Sequence, residues 1–261
     1  MSFHPAVEFY QKYGKAVEAA AGGGGRADFK AIKAGLAGQF VKSANAAYSV
    51  AGADFELLQG AIDARQERLA KSAGPETEMG TLVAELKARL VIGMSQGRLW
   101  GTGFQFHPVY GVPYLPASGI KGALRHFLEE QGRDEDQLKV WFGDTEHQGL
   151  VTIFDAFIAP TTKRRLLSEE ILNKHHENYY EKEAGKIEPP ADYNTPVPVK
   201  FVAVASGIKF RFVYGVRVGV EGREGPSLAV LRRDLVNCLD LAGMGAKTRK
   251  GYGRMVVPEV R

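Results

Sequence analysis

The residues whose types and spacing could do chemistry are concentrated in residues 243–254. This segment contains four glycines, no acidic residue and four cations, which are Lys247, Arg249, Lys250 and Arg254. Glycine leaves backbone N–H groups open to an anion because it has no Cβ atom, and the cations supply long-range attraction. The four cations equal the formal net charge of +4 of all 261 residues. The segment is typical of a phosphate-binding loop and predicts a nucleic acid as ligand.

Within this loop, the residues predicted to contact the nucleic acid are Gly245, Lys247, Thr248, Arg249, Lys250, Gly251, Tyr252 and Arg254. Tyr252 could stack on a base, although a tyrosine at the start of a strand also serves for sheet packing. A Walker A loop is excluded because Ala246 and Leu241 stand where that motif requires glycine. The dinucleotide fingerprint fails because Thr248 follows Gly245 by three residues. No nucleotide cofactor is implied, and the alternative is an exposed connection before an edge strand.

A second basic segment, residues 107–125, leads into a predicted helix with Ser118 as its N-cap. Lys121 then lies near the positive end of the helix dipole, and Arg125 follows one turn later. A bound phosphate would offset both unfavourable placements. The alternative is that both side chains extend into water, at a few tenths of a kcal/mol each. We predict that Lys121 and Arg125 bind phosphates and share one groove with the glycine-rich loop.

The sequence contains residues suited to catalysis or metal binding, but none has a recognisable second catalytic or metal-binding residue near it in sequence. Metal-free RNA cleavage would need a base such as His107, His126 or His147, and none has a recognisable second catalytic group. The adjacent pair His175-His176 cannot present both rings from one helical face. Asp144 and Asp155 could bind magnesium, but we expect Asp155 to cap or hydrogen-bond locally. The sequence therefore predicts no catalytic residue, no metal site and no cofactor.

Hydrophobic periodicity divides the chain into helices and strands. Helical spacing is present at residues 5–20, 28–48 and 55–69. The later elements are a strand at 82–91, a helix at 118–130, a strand at 150–159, a hairpin at 199–218 turning at Ser206-Gly207, a helix at 227–241 and a strand at 252–257. This order fits an α+β class with a split βαβ sheet and added strands. We expect a helical region at 1–79 and a principal domain at 80–261, with a long insertion at 168–198 that lacks an ordered sheet element.

Composition places the chain among ordinary globular proteins. Its apolar content is 44% and its pI is about 9.0, which favours polyanionic partners without separating RNA from DNA. The single cysteine, Cys238, fits a buried thiol in a reducing compartment. Residues 1–10 lack the charged start and continuous apolar run typical of a signal peptide, and no stretch of about 18 uncharged apolar residues occurs, so we expect a cytoplasmic protein without membrane contact.

Several segments in this order resemble the RAMP superfamily of CRISPR-associated proteins, whose signature is a glycine-rich basic loop near the carboxy terminus. The combination is similar to the family of sixth subunits of the Cmr, or type III-B, effector complex. The segments that carry this resemblance are 107–125, Phe142-Gly143 leading into 151–156, 175–180, 194–199 and 243–254. One departure is Ala117-Ser118-Gly119-Ile120, where the family more often has Gly-Ser-Ser-Leu before Lys-Gly. This departure weakens a hydroxyl role at position 119 but leaves Lys121 in place.

The resemblance implies a ferredoxin-like, RRM-like fold and an RNA-binding role without catalysis. Such a subunit contacts the 3′ part of the guide RNA and helps form the channel for guide and target RNA, while other subunits carry the nuclease activity. Its implied protein partners are a neighbouring RAMP backbone subunit, the small helical subunit and the terminal RAMP subunit. The alternatives are a metal-independent endoribonuclease that processes guide RNA with one of the histidines, and an assembly protein without RNA contact.

Overall fold

The computed structural model describes residues 26–95, 103–161, 165–174, 197–218, 220 and 222–258, together with Val7. The first predicted helix, apart from Val7, and residues 175–196 of the predicted insertion lie outside these ranges. The helices are α1 (Arg26–Val50), α2 (Gly52–Lys71), α3 (Ala117–Glu130), α4 (Glu135–Phe142) and α5 (Leu228–Asn237), followed by a π-helical turn at Cys238–Ala242 and a 3-10 turn at Thr248–Lys250. The strands are β1 (Thr77–Leu86), β2 (Tyr114–Leu115), β3 (Val151–Ile153), β4 (Ala156–Ile158), β5 (Leu167–Lys174), β6 (Val197–Val204), β7 (Lys209–Arg217) and β8 (Met255–Val256).

Helices α1 and α2 precede the sheets, as the helical spacing predicts. The buried side chains of α1 recur at the spacing of one helical face, and they are Leu36, Ala37, Phe40, Val41, Ala44 and Tyr48. The buried stripe of α2 is half polar, because Gln59 and Gln66 alternate with Phe55 and Ile62. Gln66 donates to the backbone carbonyls of Asp155 and Arg211, which attaches α2 to the main sheet. Both predicted helices are confirmed.

The main sheet is antiparallel and six-stranded, in the order β2-β4-β7-β1-β8, with β3 also paired to β7. Strand β7 lies at its centre, between β1 on one edge and β3 and β4 on the other. Helix α3 lies in sequence between β1 and β3, and α5 lies between β7 and β8. The core of the sheet is apolar, since Phe210, Phe212 and Tyr214 of β7 are buried. The predicted α+β class is confirmed.

Strands β5 and β6 form a separate two-stranded sheet, and this corrects two predictions. The predicted hairpin at 199–218 turns at Ser206-Gly207, but β6 pairs with β5 and not with β7, because both edges of β7 are already occupied. The predicted insertion contains an ordered strand at its start, β5. The side-chain amide of Asn45 of α1 donates to the Leu167 carbonyl at 2.9 Å and accepts from the Leu167 N–H at 3.0 Å. It thus makes both backbone hydrogen bonds of the first residue of β5, as a neighbouring strand would.

The amino-terminal end of α3 corrects the predicted N-cap. The helix begins at Ala117 after an extended Pro116, so Ser118 lies inside the first turn and is exposed. The cap is supplied by Asp155, whose Oδ1 accepts a hydrogen bond from the Ala117 N–H at 2.7 Å. Asp155 lies in the break between β3 and β4, which divides the strand predicted at 150–159. The expected capping role of Asp155 is confirmed, with a partner distant in sequence.

Replacing Asp155 with alanine should remove this cap. We expect Asp155→Ala to lower the free energy of unfolding by about 1 kcal/mol, the usual effect of losing an N-cap side chain. Asp155→Asn is the matched control, because its amide oxygen can still accept from Ala117, and it should keep most of the stability. Chemical denaturation of the three proteins measures the difference, and equal stability of the alanine and wild-type proteins would contradict the assignment.

Candidate nucleic-acid interface

The glycine-rich loop, residues 243–254, is fixed against the segment that follows β1. Its two ends meet where the Met244 N–H donates to the Gly253 carbonyl at 3.0 Å. The Ala246 N–H donates to the Val91 carbonyl, and the Gly253 N–H donates to the Arg89 carbonyl, both at 2.8 Å. These bonds fix the backbone of the loop at both ends, so the Cα positions from which its side chains extend are set by the fold.

Three of the four loop glycines serve this internal packing. Gly243, Gly245 and Gly253 have φ values of 77°, 84° and 72°, in the left-handed region that favours glycine. A Cβ atom at Gly245 would overlap the carbonyl oxygen of Val91, and one at Gly253 would overlap that of Met244. Gly251, with φ 86°, differs because a Cβ atom there would meet nothing within 4 Å. Among the loop glycines, only Gly251 has the open surroundings that close approach of a ligand requires.

The four cations of the loop are not paired with any acidic side chain that the structure describes. Lys247 adopts a left-handed conformation, with φ 60°, directly before the 3-10 turn that carries Arg249 and Lys250. Arg249, Lys250 and Arg254 are exposed. Within the described ranges, none of these four cations has a carboxylate within ion-pair distance, and Arg254 donates only to the Leu241 carbonyl at 3.0 Å. Ion pairs with the described part of the chain therefore do not compensate the positive charge of the loop.

A groove of about 560 Å³ lies between this loop and α3, and we call it the loop groove. Its lining comprises Ala123, His126, Phe127, Glu130, Leu241, Ala242, Gly243, Gly245, Thr248, Arg249, Gly251 and Arg254. The apolar members and the rim of arginines suit a strand that combines bases with phosphates. Glu130 is the one carboxylate among the described residues of this lining.

Lys121 and Arg125 do not line the loop groove, so the prediction that they share it with the loop is wrong. At 100° per residue, both lie on the flank of α3 opposite to Ala123 and His126. The guanidinium of Arg125 donates to Glu129 at 2.9 Å, to Glu135 at 2.7 Å and to the Gly143 carbonyl at 3.1 Å. These contacts give Arg125 a structural role in joining α3 to α4.

Lys121 is half-buried and has no hydrogen-bond or ion-pair partner in the part of the chain that the structure describes. Burial, and then the nearby charge of Arg125, lower the pKa of the Lys121 ammonium. A phosphate beside Lys121 would offset both effects. Phosphate binding by Lys121 and Arg125 stays a prediction, now for a surface separate from the loop groove.

Tyr252 attaches the loop to the small sheet. Its hydroxyl donates to Glu170 Oε2 of β5 at 2.7 Å, and its ring centroid lies 6.2 Å from that of Phe201 of β6. Burial, and then the hydrogen bond to Glu170, raise the pKa of Tyr252 to about 12. This arrangement matches the sheet-packing alternative for Tyr252, and stacking on a base stays a prediction.

Replacing Tyr252 with phenylalanine tests this attachment. We expect a loss of about 1 to 2 kcal/mol in the free energy of unfolding, since a hydrogen bond to a charged group disappears. The raised pKa adds a pH dependence: the contribution of the neutral phenol is complete below pH 10, its ordinary pKa, and is lost as the pH rises through about 12. Denaturation of both proteins across this window should show a steeper decline for wild type, whereas parallel curves would contradict the account.

The candidate catalytic residues are dispersed. Nδ1 of His107 accepts from the N–H groups of Val109 and Tyr110 at 3.3 Å each, in a turn stacked on the Tyr110 ring. His147 lies 3.5 Å from Asp144, whose carboxylate accepts from two backbone N–H groups that lower its pKa. His126 is 69% exposed and lines the loop groove.

His175 and His176 lie outside the described residues. Across the ranges that the structure does describe, no three His, Cys, Asp or Glu side chains gather as metal ligands would. In the same ranges, the helices lack the combined length and apolarity that crossing a membrane requires.

A second groove, of about 350 Å³, lies on the other side of the loop. It is lined by Lys87, Ala88, Arg89, Glu170, Ser206, Lys250, Gly251 and Tyr252. Sequence reasoning misses Lys87 and Arg89, because they alternate with apolar residues inside the strand predicted at 82–91. In the structure β1 ends at Leu86, and these two cations follow it beside the loop.

Comparison with known proteins identifies the family of this chain. The RAMP superfamily matches residues 90–256. A Cmr subunit Cmr6 from Pyrococcus furiosus is 27% identical over 229 residues, covering 65% of this chain and 65% of its own length. A Cmr6 from Saccharolobus solfataricus is 28% identical over 169 residues, covering 64% of this chain and 53% of its own length. The alignments thus span less than two thirds of these relatives.

A solved structure is similar in fold. It is a chain in the cryo-EM structure of the type III-B Cmr-beta bound to cognate target RNA, with a TM-score of 0.60 and 24% identity over 77% of this chain and 65% of that chain. The resemblance seen in the sequence is confirmed, and because the family match covers most of the chain, this protein belongs to the RAMP superfamily.

Proposed function

We propose that the protein is a non-catalytic RNA-binding subunit of a type III-B CRISPR (Cmr) effector complex. It contacts the 3′ part of the guide RNA and helps form the channel for guide and target RNA. The observation that carries this proposal is the glycine-rich loop, which presents four cations without carboxylate partners among the described residues. Two relatives named Cmr6 support the assignment to this complex.

The proposed binding is electrostatic and independent of sequence. Arg249, Lys250 and Arg254 are exposed and neutralise phosphates, with Lys247 beside them. Gly251 admits the sugar-phosphate backbone because nothing obstructs its Cα. Gly245 and Thr248 contribute the lining of the loop groove. The remaining predicted contacts are Tyr252, which lies in the loop, and Lys121 and Arg125, which would bind phosphates on a surface separate from the loop groove.

We also propose how the fold serves assembly. The order of the main sheet, with β7 between β1 and the β3–β4 pair and β8 beyond β1, supports a ferredoxin-like core. The division into a helical region at 1–79 and a principal domain at 80–261 stays a proposal. The surfaces of the protein would contact the neighbouring RAMP backbone subunit, the small helical subunit and the terminal RAMP subunit of a Cmr complex.

A salt titration of single-stranded RNA binding tests the proposal. The four loop cations, neutralising one phosphate each, predict a contribution of about −2.8 to the log–log slope of affinity against salt, at about −0.7 per phosphate. RNAs of unrelated sequence should give the same slope, since the contacts are to phosphates. A flat salt dependence would reject the proposal.

The position of His126 favours a second candidate, a metal-independent endoribonuclease that processes guide RNA. Its imidazole lines the loop groove together with Arg249 and Arg254, so a base and two cations face one cavity. Incubation with repeat RNA in EDTA decides between the candidates. Discrete 2′,3′-cyclic phosphate products that disappear in His126→Ala would favour the enzyme, and intact RNA would favour the binding subunit.

A further inference from the structure

The two grooves beside the glycine-rich loop meet at one residue. Gly251 lines both the loop groove and the second groove. It is also the loop glycine whose surroundings are open, because a Cβ atom there would meet nothing within 4 Å. At Gly251 the two grooves are therefore joined by a residue without a side chain, where the backbone of an extended strand can approach closely.

Consecutive cations of the loop face opposite grooves. Arg249 lines the loop groove and Lys250 lines the second groove. Successive side chains of a 3-10 turn diverge by about 120°, which explains how neighbours in sequence reach different sides. Both are exposed and, among the described residues, have no carboxylate partner. A polyanion crossing Gly251 would meet a cation on each side of the crossing.

The second groove continues the positive surface with Lys87 and Arg89. The described residues of its lining include three cations, counting Lys250, and one carboxylate, Glu170. Lys87 Nζ lies 2.7 Å from Asp240 Oδ1, and Arg89 pairs with Glu170, yet both cationic side chains remain about half exposed, at 49% and 50%. These pairs position the cations and leave donors free, since an ammonium has three N–H groups and a guanidinium five.

We propose that single-stranded RNA bound at the loop groove continues across Gly251 into the second groove, where Lys87 and Arg89 bind its next phosphates. This inference rests on the proposed function and extends the RNA site to two residues outside the loop. The segment after β1 thus acts with the loop as one binding surface, joined by the hydrogen bond between the Gly253 N–H and the Arg89 carbonyl.

Salt titrations with an oligouridylate of about 16 nucleotides, the upper site size of small single-strand binders, test the path. Lys87→Ala with Arg89→Ala should make the log–log slope shallower by about 1.4, because two phosphate contacts are lost at about 0.7 each. Lys139→Ala is the matched control: Lys139 is an exposed lysine 2.9 Å from Asp136 and lines neither groove. It should leave the slope unchanged.

Asp240→Asn gives a readout that loss of folding cannot imitate. Removing the charge that partners Lys87 should strengthen RNA binding several-fold, whereas Asp136→Asn, beside Lys139, should not. A slope that stays unchanged in the Lys87 and Arg89 double variant, while Arg249→Ala with Arg254→Ala makes it shallower, would overturn the path and leave the proposed function intact. A flat slope for wild type would instead overturn the proposed function.

Discussion

Reversing the charge of Lys247, Arg249 and Lys250 to glutamate should weaken single-stranded RNA binding by at least about 100-fold, because three contacts of about 1 kcal/mol each are lost. Their substitution breaks no ion pair within the described ranges, because none of these side chains has a carboxylate partner there. The salt slope should also become shallower by about 2.1, at about 0.7 per contact. Fluorescence anisotropy with labelled RNA at several salt concentrations measures both quantities.

The control for this variant changes the net charge by the same amount elsewhere. Lys42 on α1 and Arg68 and Lys71 on α2 are exposed and line neither groove. Their reversal to glutamate should weaken binding only slightly, through the overall charge, and should leave the slope unchanged. Equal losses in the two triple variants would show that net charge, and not the loop, determines affinity.

Gly253→Ala should destabilise the protein by about 3 kcal/mol or more. A left-handed conformation costs an alanine about 1 to 2 kcal/mol. Its Cβ atom would also overlap the Met244 carbonyl, so the two loop ends must separate and the bonds to Met244 and Arg89 weaken. Thermal unfolding should show a melting temperature lower by roughly 10 °C. RNA affinity should fall as well, because the loop cations lose their fixed positions.

The variant Gly251→Ala shows how much of the Gly253→Ala effect comes from the left-handed backbone conformation and how much from the overlap with Met244. Its φ of 86° imposes a similar conformational cost, but its Cβ atom meets nothing within 4 Å. We therefore expect a loss of only about 1 kcal/mol in stability. If the Gly251 and Gly253 variants unfolded at the same temperature, the close approach of Gly253 to Met244 would not be what fixes the loop.

Local features of the fold could be predicted from the sequence, and long-range partners could not. The helix predicted at 118–130 begins within one residue of the observed start of α3. Its buried residues Ile120, Leu124 and Leu128 recur at helical spacing, which the sequence shows directly. The cap of that helix comes from Asp155, 38 residues away, and no local pattern reports such a partner. Similarly, Ser206-Gly207 marks a turn correctly, but the pairing of β6 depends on which edges of β7 are already taken.

In the candidate site, too, local features could be predicted from the sequence and long-range contacts could not. Composition alone identifies the basic glycine-rich loop, since four cations without an acid are unusual in so short a segment. Which glycine is open depends on close approaches between backbone atoms, such as Gly245 against Val91, that only the folded chain defines. Lys121 is separated from the loop because the opposite flank of α3, which carries Ala123 and His126, faces the loop groove. The sequence does not indicate which flank faces the loop. Lys87 and Arg89 lie in a segment distant in sequence from the loop, so only the folded structure shows that they line a groove beside it.

Photocrosslinking tests the central claim most directly. RNA containing 4-thiouridine would be bound to the full chain, irradiated and mapped to crosslinked residues by mass spectrometry. The account predicts crosslinks within residues 248–254, together with a second group at residues 87–89. Reproducible crosslinks that all map elsewhere, with none in the glycine-rich loop, would contradict it.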